Sequence, residues 1–312
     1  MSMIITEEMR FRQRVVEYAI KHDNNAKAAR RYHTSRQQVW RWRKKYDGTV
    51  QSLANKSTRP PSHPNQHTEA ELDLIRYKHR YHRHEGLAQV YRKLRDAGYT
   101  RTYDSMCRQI RKMQLNTPRK RKSCPKTQYR KNPATYPGER VQIDVKHVPK
   151  ECIGFASYHS KYYQITAIDE YSRDRYAELV SENSTYTTSE FLKRLKDKLE
   201  YEIKIVQTDN GLEFVNDPDK TTKKSRFQKV LEQAGIEHRR IRPYSPWQNG
   251  IVERSHRIDN ELFYSKRRFK SYEEMEKAFK RYHNRYNNIA RKILGFKTPN
   301  EVVEEYFSEN AV

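Results

Sequence analysis

The stretch Ile203-Lys-Ile-Val-Gln-Thr-Asp-Asn-Gly-Leu-Glu-Phe214 runs from β-branched apolar residues directly into an acid and a glycine turn. Residues 203–207 read as a strand, because Ile and Val suit a pleated, half-buried surface and Asn-Gly ends it. Asp209 then stands where a strand opens into a loop, which is where α/β sheets place ligands. Taken alone, Asp-Asn-Gly is an ordinary turn sequence, so the weight rests on what surrounds it.

Upstream, residues 140–148, 162–168 and 176–180 are β-rich runs in series, as in a three-stranded meander. Residues 187–201 carry a helical pattern, 227–234 a second one and 237–240 a final strand; helices fill 251–266 and 272–284. Three strands, helix, strand, helix, strand, helix is the element order of ribonuclease-H-like folds, a mixed sheet covered by helices. Asp144 sits in the middle of the first strand between Ile143 and Val145, and an acid inside a β-rich run implies a partner or a metal at the sheet surface. Glu253 begins a helix after the Gly- and Pro-containing loop Tyr244-Ser-Pro-Trp-Gln-Asn-Gly250, where the helix dipole suits a negative charge.

The N-terminal half is helical. Phe11, Val15, Tyr18 and Ala19 recur at helical spacing within residues 7–20, a short helix fits 25–32, and a turn follows at His33 and Thr34. Ser35 can cap a third helix to Tyr46 with Val39, Trp42 and Tyr46 facing inward. Arg36, Gln37, Arg41 and Lys44 lie on its opposite face, the layout of a helix-turn-helix whose last helix enters the major groove. A small bundle with a solvated charged face is the plain alternative. Three prolines in residues 58–65 make a linker. Residues 68–82, 86–97 and 102–115 repeat the architecture, with Thr102 as a cap and Arg108, Arg111 and Lys112 exposed. Residues 117–136, including Arg119, Lys120, Arg121 and Lys122, read as a basic connector that tracks phosphates.

The chain has 312 residues, and Lys and Arg number 64 against 39 Asp and Glu, a net charge of +25 that calls for a polyanionic partner. No run approaches the roughly 18 to 20 apolar residues that span a bilayer, so no membrane association is expected. Cys107, Cys124 and Cys152 are widely spaced and read as ordinary thiols, and His79, His82 and His84 have no cysteine pair near them for zinc. The reading is therefore multidomain: two N-terminal all-α helix-turn-helix units, an α/β ribonuclease-H-like catalytic core with a mixed five-stranded sheet, and a helical C-terminal tail. The expected divisions are 1–57, a Pro-rich linker 58–67, 68–116, a basic linker 117–136, the core 137–270 and a C-terminal helical region 271–312.

Thr208-Asp-Asn-Gly-x-Glu-Phe214 and Ser245-Pro-x-x-Asn-Gly-x-x-Glu-Arg254 stand in order on suitable elements, and through them residues 137–270 resemble the integrase core of the retroviral integrase superfamily. The whole chain resembles a bacterial insertion-sequence DDE transposase, including Leu294-Gly-x-Lys-Thr-Pro299 in the tail. The resemblance implies that Asp144, Asp209 and Glu253 form a catalytic acidic triad holding two divalent ions, Mg²⁺ with Mn²⁺ as substitute. The interval from Asp209 to Glu253 is longer than is usual, the excess lying in the polar stretch 216–225. Asn260 stands where the family often has a basic residue, while Arg257 shares the helical face of Glu253 and suits a phosphate contact. Asn210, Trp247, Gln248 and Asn249 are expected to border the site; Trp247 either stacks on an unpaired base or fills a gap beneath its loop.

The implied function is a transposase that binds double-stranded DNA at the terminal inverted repeats of an insertion sequence, cleaves at the element 3′ ends and joins them to target DNA. A catalytically inactive DNA-binding regulator, a nuclease that cuts without joining and an interaction scaffold are the alternatives. Joining two ends implies a homodimer or higher oligomer on DNA, with the helices at 272–284 and 299–307 as candidates to support it, and a location in the bacterial cytoplasm on the nucleoid.

Overall fold

The computed structural model describes residues 5–55, 60, 63–116, 132–155, 161–217 and 219–310. The chain forms two units, Met1–Gln66 and His67–Val312. In the first, α1 (Glu7–Lys21), α2 (Asn25–Arg31) and α3 (Arg36–Lys45) are each started by a side-chain oxygen that takes an orphan backbone N–H. Thr6 accepts from Met9, Asn24 from Lys27 and Ser35 from Gln38. Val15, Ala19, Ala28 and Val39 are buried at the centre, with Phe11, Tyr18, Tyr32 and Trp42 packed around them. His33 takes a positive φ of 50° in the turn before α3. Tyr46, expected to face inward, is only half-buried, because its hydroxyl reaches Glu17 at 3.0 Å.

The second unit opens with α4 (Glu69–His82), α5 (Leu87–Arg95) and α6 (Tyr103–Lys112). Thr68 and Glu71 form a reciprocal capping box at the start of α4. Ile75, Val90, Leu94, Met106 and Ile110 make this trio's own core.

The sheet follows in β1 (Val141–His147), β2 (Tyr163–Asp169), β3 (Arg175–Val180), β4 (Ile205–Thr208) and β5 (Glu237–Arg240). Its order is β3-β2-β1-β4-β5. β1 runs antiparallel to β2, pairing Val141 with Asp169 through His147 with Tyr163, whereas β4 lies parallel to β1 and β5 parallel to β4. A parallel partner needs a crossover, which α7 (Thr185–Lys198) and α8 (Arg226–Gln233) supply. They cover one face: Val141, Ile143, Ile165 and Val206 meet Phe191 and Leu195 of α7 and Phe227 and Leu231 of α8.

The other face meets α9 (Gly250–Leu262) and α10 (Tyr272–Tyr286), followed by α11 (Pro299–Asn310). α10 was expected in a region apart from the core. Its stripe Met275, Ala278 and Phe279 instead packs with Ala177, Leu179, Phe263 and Phe269, because a helix with that apolar spacing must cover something. α11 likewise lays Tyr306 against Tyr171 and Phe307 against Tyr201. Both helices offered for oligomer formation thus use apolar side chains within the chain.

Candidate active site

Strand β1 alternates. Val141, Ile143 and Val145 pack toward α7 and α8, while Gln142, Asp144 and Lys146 point at α9. Each of these three polar residues holds a different turn of that helix. Gln142 is fully buried, and its Oε1 accepts from the N–H groups of Ile251 at 3.2 Å and Val252 at 3.3 Å. Those are orphan donors of the first turn, which Asn249 does not cap with its side chain. Asp144 Oδ2 meets His256 Nδ1 at 3.2 Å, and its Oδ1 accepts from the N–H of Val145 at 2.9 Å. Lys146 Nζ donates to the carbonyl of His256 at 3.2 Å and to Asn260 Oδ1 at 2.5 Å, and lies 4.6 Å from the Tyr264 ring centre. Burial lowers the Lys146 ammonium to about 8, since a charged group is disfavoured away from water.

The other end of α9 is anchored by a buried ion pair. Arg175 on β3 donates to Asp259 at 2.7 Å and to Ser255 at 3.1 Å, both partners of the ion pair being fully buried. Gln164 of β2 donates to Asp259 at 2.8 Å and accepts from the Tyr264 hydroxyl. The Arg175 guanidinium also lies 3.7 Å from the ring centre of Tyr286. α9 is therefore fixed in rotation and in register, and with it Glu253 in its first turn.

Asp209 follows the last residue of β4, the parallel neighbour of β1, and accepts from the Gly211 N–H at 2.9 Å. The Glu213 carboxyl lies close over Gly211, where a Cβ would stand 2.6 Å from its carboxyl carbon and make that side chain swing aside. Asn210 pins the turn to β5 by donating to the carbonyl of Ile241 at 3.0 Å.

Burial raises the proton affinity of Asp209, and the charge of Asp144 raises it further. Glu253 is raised by burial, then by Asp144 and Asp209 against the lowering effect of His256. Glu213 is raised the same way, by burial and then by Asp209 and Asp144. The fold thus brings the three acids expected from the sequence into one electrostatic neighbourhood and adds Glu213 to it. Among the described residues no group of three or more His, Cys, Asp or Glu forms a ready-made metal cage. The donor chemistry nonetheless fits a hard divalent cation: oxygen ligands only, and crowded like charges whose proton affinity a cation would reverse. Among the described residues, buried His256 Nε2 has no hydrogen-bond partner, so the polar contact of its ring is the one to Asp144.

The residues expected to border the site divide. Gln248 and Asn249 hold the loop onto the sheet: the Gln248 carbonyl accepts from Gln142 at 3.3 Å and Gln207 at 2.8 Å, while Asn249 Nδ2 donates to the Ile143 carbonyl at 3.3 Å. Trp247 is 59% exposed, so its ring is largely presented to solvent and fills no gap. Tyr244, which sequence reasoning passed over, is 98% exposed in the same loop. Arg257 is exposed one turn beyond Glu253, and Asn260 is exposed while accepting from Lys146.

On α3, Arg36, Gln37, Arg41 and Lys44 are all exposed, with Trp40 standing among them and Lys44 over its ring at 5.3 Å. Arg108, Arg111 and Lys112 are exposed on α6. Arg119, Lys120, Arg121 and Lys122 lie outside the described residues. Gln142, His256 and Lys146 were missed by the sequence reading. The signal for two of them was the period-2 run Gln142, Asp144, Lys146, and for His256 its place three residues after Glu253.

A mixed five-stranded sheet with acids on adjacent strands and a covering helix, attached to a three-helix unit, defines an integrase-like core with a helix-turn-helix. Residues 134–246 and 234–299 match two models of the integrase core domain, and residues 11–61 match a helix-turn-helix domain. Residues 134–299 thus carry an integrase core domain, which supports an enzyme of polynucleotidyl-transferase type. It is 28% identical over 169 residues to a putative integrase of Spiroplasma virus SpV1-C74, a match covering 51% of this chain and 46% of that protein. The chain thus matches about half the length of that curated relative. Similar solved structures include the catalytic core domain of BIV integrase, at 20% identity and a TM-score of 0.41 over 56% of this chain and 99% of that one. A simian T-cell lymphotropic virus intasome, determined in complex with a PP2A regulatory subunit, gives 18% identity and a TM-score of 0.44 over 74% of each chain. No helix among the described residues is long and apolar enough to cross a membrane.

Proposed function

We propose that this chain is a DNA transposase of the insertion-sequence type, which binds the terminal inverted repeats of an element, cleaves at its 3′ ends and joins them to target DNA. The observation that carries the proposal is the position of three acids: Asp144 on β1, Asp209 at the end of the adjacent parallel strand β4, and Glu253 in the first turn of α9, the helix that Asp144 meets through His256. These three residues would hold two divalent ions, magnesium or manganese, which when bound polarise the scissile phosphate and the attacking oxygen. Water first frees the 3′-hydroxyl. That hydroxyl then attacks a target phosphate, the new P–O bond forming as the bond to the neighbouring target 3′-oxygen breaks. No bond to the protein forms at any stage.

The chain's own residues orient the DNA. Arg257 neutralises a backbone phosphate next to the acids. Trp247 and Tyr244 offer exposed rings on which bases near the cut can stack. Arg36, Gln37 and Arg41 on α3 read base edges, Lys44 holds the backbone, and Arg108, Arg111 and Lys112 on α6 make a second set of contacts. Since two ends are joined, two copies of the site act together, in a dimer or larger assembly on DNA. Asp209→Asn should keep end binding, read by gel shift, and lose both cleavage and transfer of a labelled 3′ end in magnesium. Full activity in that variant would refute the assignment.

A further inference from the structure

Beyond Glu253 along α9, its distal turns, the turn Tyr264–Lys266, α10 and the residues after α4 enclose a cavity of about 640 Å³. None of Asp144, Asp209 and Glu253 lines it. Its volume falls in the usual range of ligand sites, about 300–1,000 Å³. The floor is apolar, made by the partly buried Ile258, Leu262, Tyr282 and Ile289. The rim is basic: Lys266, Arg267 and Arg281 are exposed and make no ion pair among the described residues. Glu85 is the only carboxylate among the described lining residues, and it is already held by Arg285 and by His82 at 3.0 Å.

An aromatic and aliphatic floor under a ring of free cations is complementary to a nucleotide, whose base has an apolar face and whose phosphates are anionic. Among the described lining residues none is a glycine, so they offer no backbone cradle of the kind that grips a free polyphosphate, and the cations instead are side chains spread along a rim. We propose that this cavity receives an unpaired nucleotide of a DNA strand. The base lies on Ile258, Leu262 and Tyr282, and the adjoining phosphates lie on Lys266, Arg267 and Arg281. This rests on the reading of the chain as a DNA-processing enzyme.

The test compares full-length protein binding to a blunt duplex and to the same duplex bearing a three-nucleotide flap, by fluorescence anisotropy at several salt concentrations. Wild type should bind the flapped DNA about tenfold more tightly, the order expected from one stacked base. Ile258→Trp, which fills the floor, should abolish that preference and leave blunt-duplex binding unchanged. The double variant Lys266→Glu with Arg281→Glu alters only exposed side chains, so it keeps the test sound should Ile258→Trp not fold. It should also remove the flap preference, and lower the salt dependence for flapped DNA by about two phosphate contacts. No flap preference in wild type, or a preference that survives both variants, overturns the pocket. Displacement of the flap by millimolar dATP would assign the cavity to a free nucleotide and overturn the strand assignment. Loss of binding to both DNAs in wild type would instead strike at the DNA-processing reading itself.

Discussion

Asp209, Glu213 and Glu253 hold protons more tightly than ordinary carboxylates, through burial first and neighbouring negative charge second, and this sets how the site responds to pH. A carboxyl group whose folded proton affinity is raised favours the folded state below its unfolded range, and that contribution is lost as pH rises through the folded value. The metal-free protein should therefore lose stability from these three groups above about pH 4, and a divalent cation should restore more of it at pH 7 than at pH 5. At a concentration 100-fold above its dissociation constant a cation contributes about 2.7 kcal/mol, a rise in Tm of roughly 5–10 °C for a core of this size. Differential scanning fluorimetry in EDTA and in Mn²⁺ at the two pH values checks this. Asp209→Asn should melt no lower than wild type in EDTA and lose most of the cation-induced gain; an undiminished gain would place the ions elsewhere. Asp144 and Asp209 stood out in the sequence because one interrupts and the other ends a β-rich run, whereas Glu253 was marked only by its place in Ser245-Pro-x-x-Asn-Gly-x-x-Glu-Arg254. The partner of His256 was not, since helical spacing shows that it shares a face with Glu253 but not which residue of which strand that face meets.

At the level of elements, α9 works as a rod laid across the sheet, held at its start by Gln142, in its middle by Asp144 and Lys146, and near its end by the Arg175–Asp259 pair. The buried pair decides whether the rod stays seated. Replacing Asp259 by Ala leaves the Arg175 charge enclosed among Tyr282, Tyr286 and Ser255, and removing one partner of a buried pair costs about 3–5 kcal/mol. Asp259→Ala should thus lower the urea midpoint with an unchanged m-value, whereas Arg175→Met combined with Asp259→Leu should recover most of the loss. A midpoint in the single variant within error of wild type would show that the pair does not hold α9. Strand and helix positions were readable from periods of 2 and 3.6, with ends displaced by a few residues, as where β4 begins at Ile205 rather than 203. The Arg175–Asp259 tie was not readable, because two charges 84 residues apart meet only after α9 has docked on the sheet.

Across the second unit as a whole, the segment between α10 and α11 joins the helical trio α4–α6 to the core. The Phe296 ring lies 4.7 Å from that of Tyr91 and 5.1 Å from that of Tyr103, and Gln89 accepts from the Ala290 N–H at 2.7 Å. Arg92 pairs with Glu301 at 2.8 Å, and Lys292 lies 4.6 Å from the Tyr103 ring centre. A trio expected to stand alone behind a linker is instead attached through a stretch some 200 residues away in sequence, which local patterning has no means to reveal. These contacts couple where the trio's basic residues sit to where the acids sit, since both rest on one folded body. Phe296 is only partly buried, so Phe296→Ala should cost about 2 kcal/mol, below the roughly 3–5 kcal/mol of a fully enclosed ring. Combined with Arg92→Ala it should detach the trio while leaving its Ile75, Leu94 and Ile110 core intact. Calorimetry of the double variant should then resolve an additional transition below that of the sheet. Strand transfer should fall while binding to a single repeat end is retained, because each part keeps its own contacts and loses only their fixed relation. If the variant melts as wild type does and transfers strands at the wild-type rate, the tail is a passive spacer and the coupling lies elsewhere in the chain.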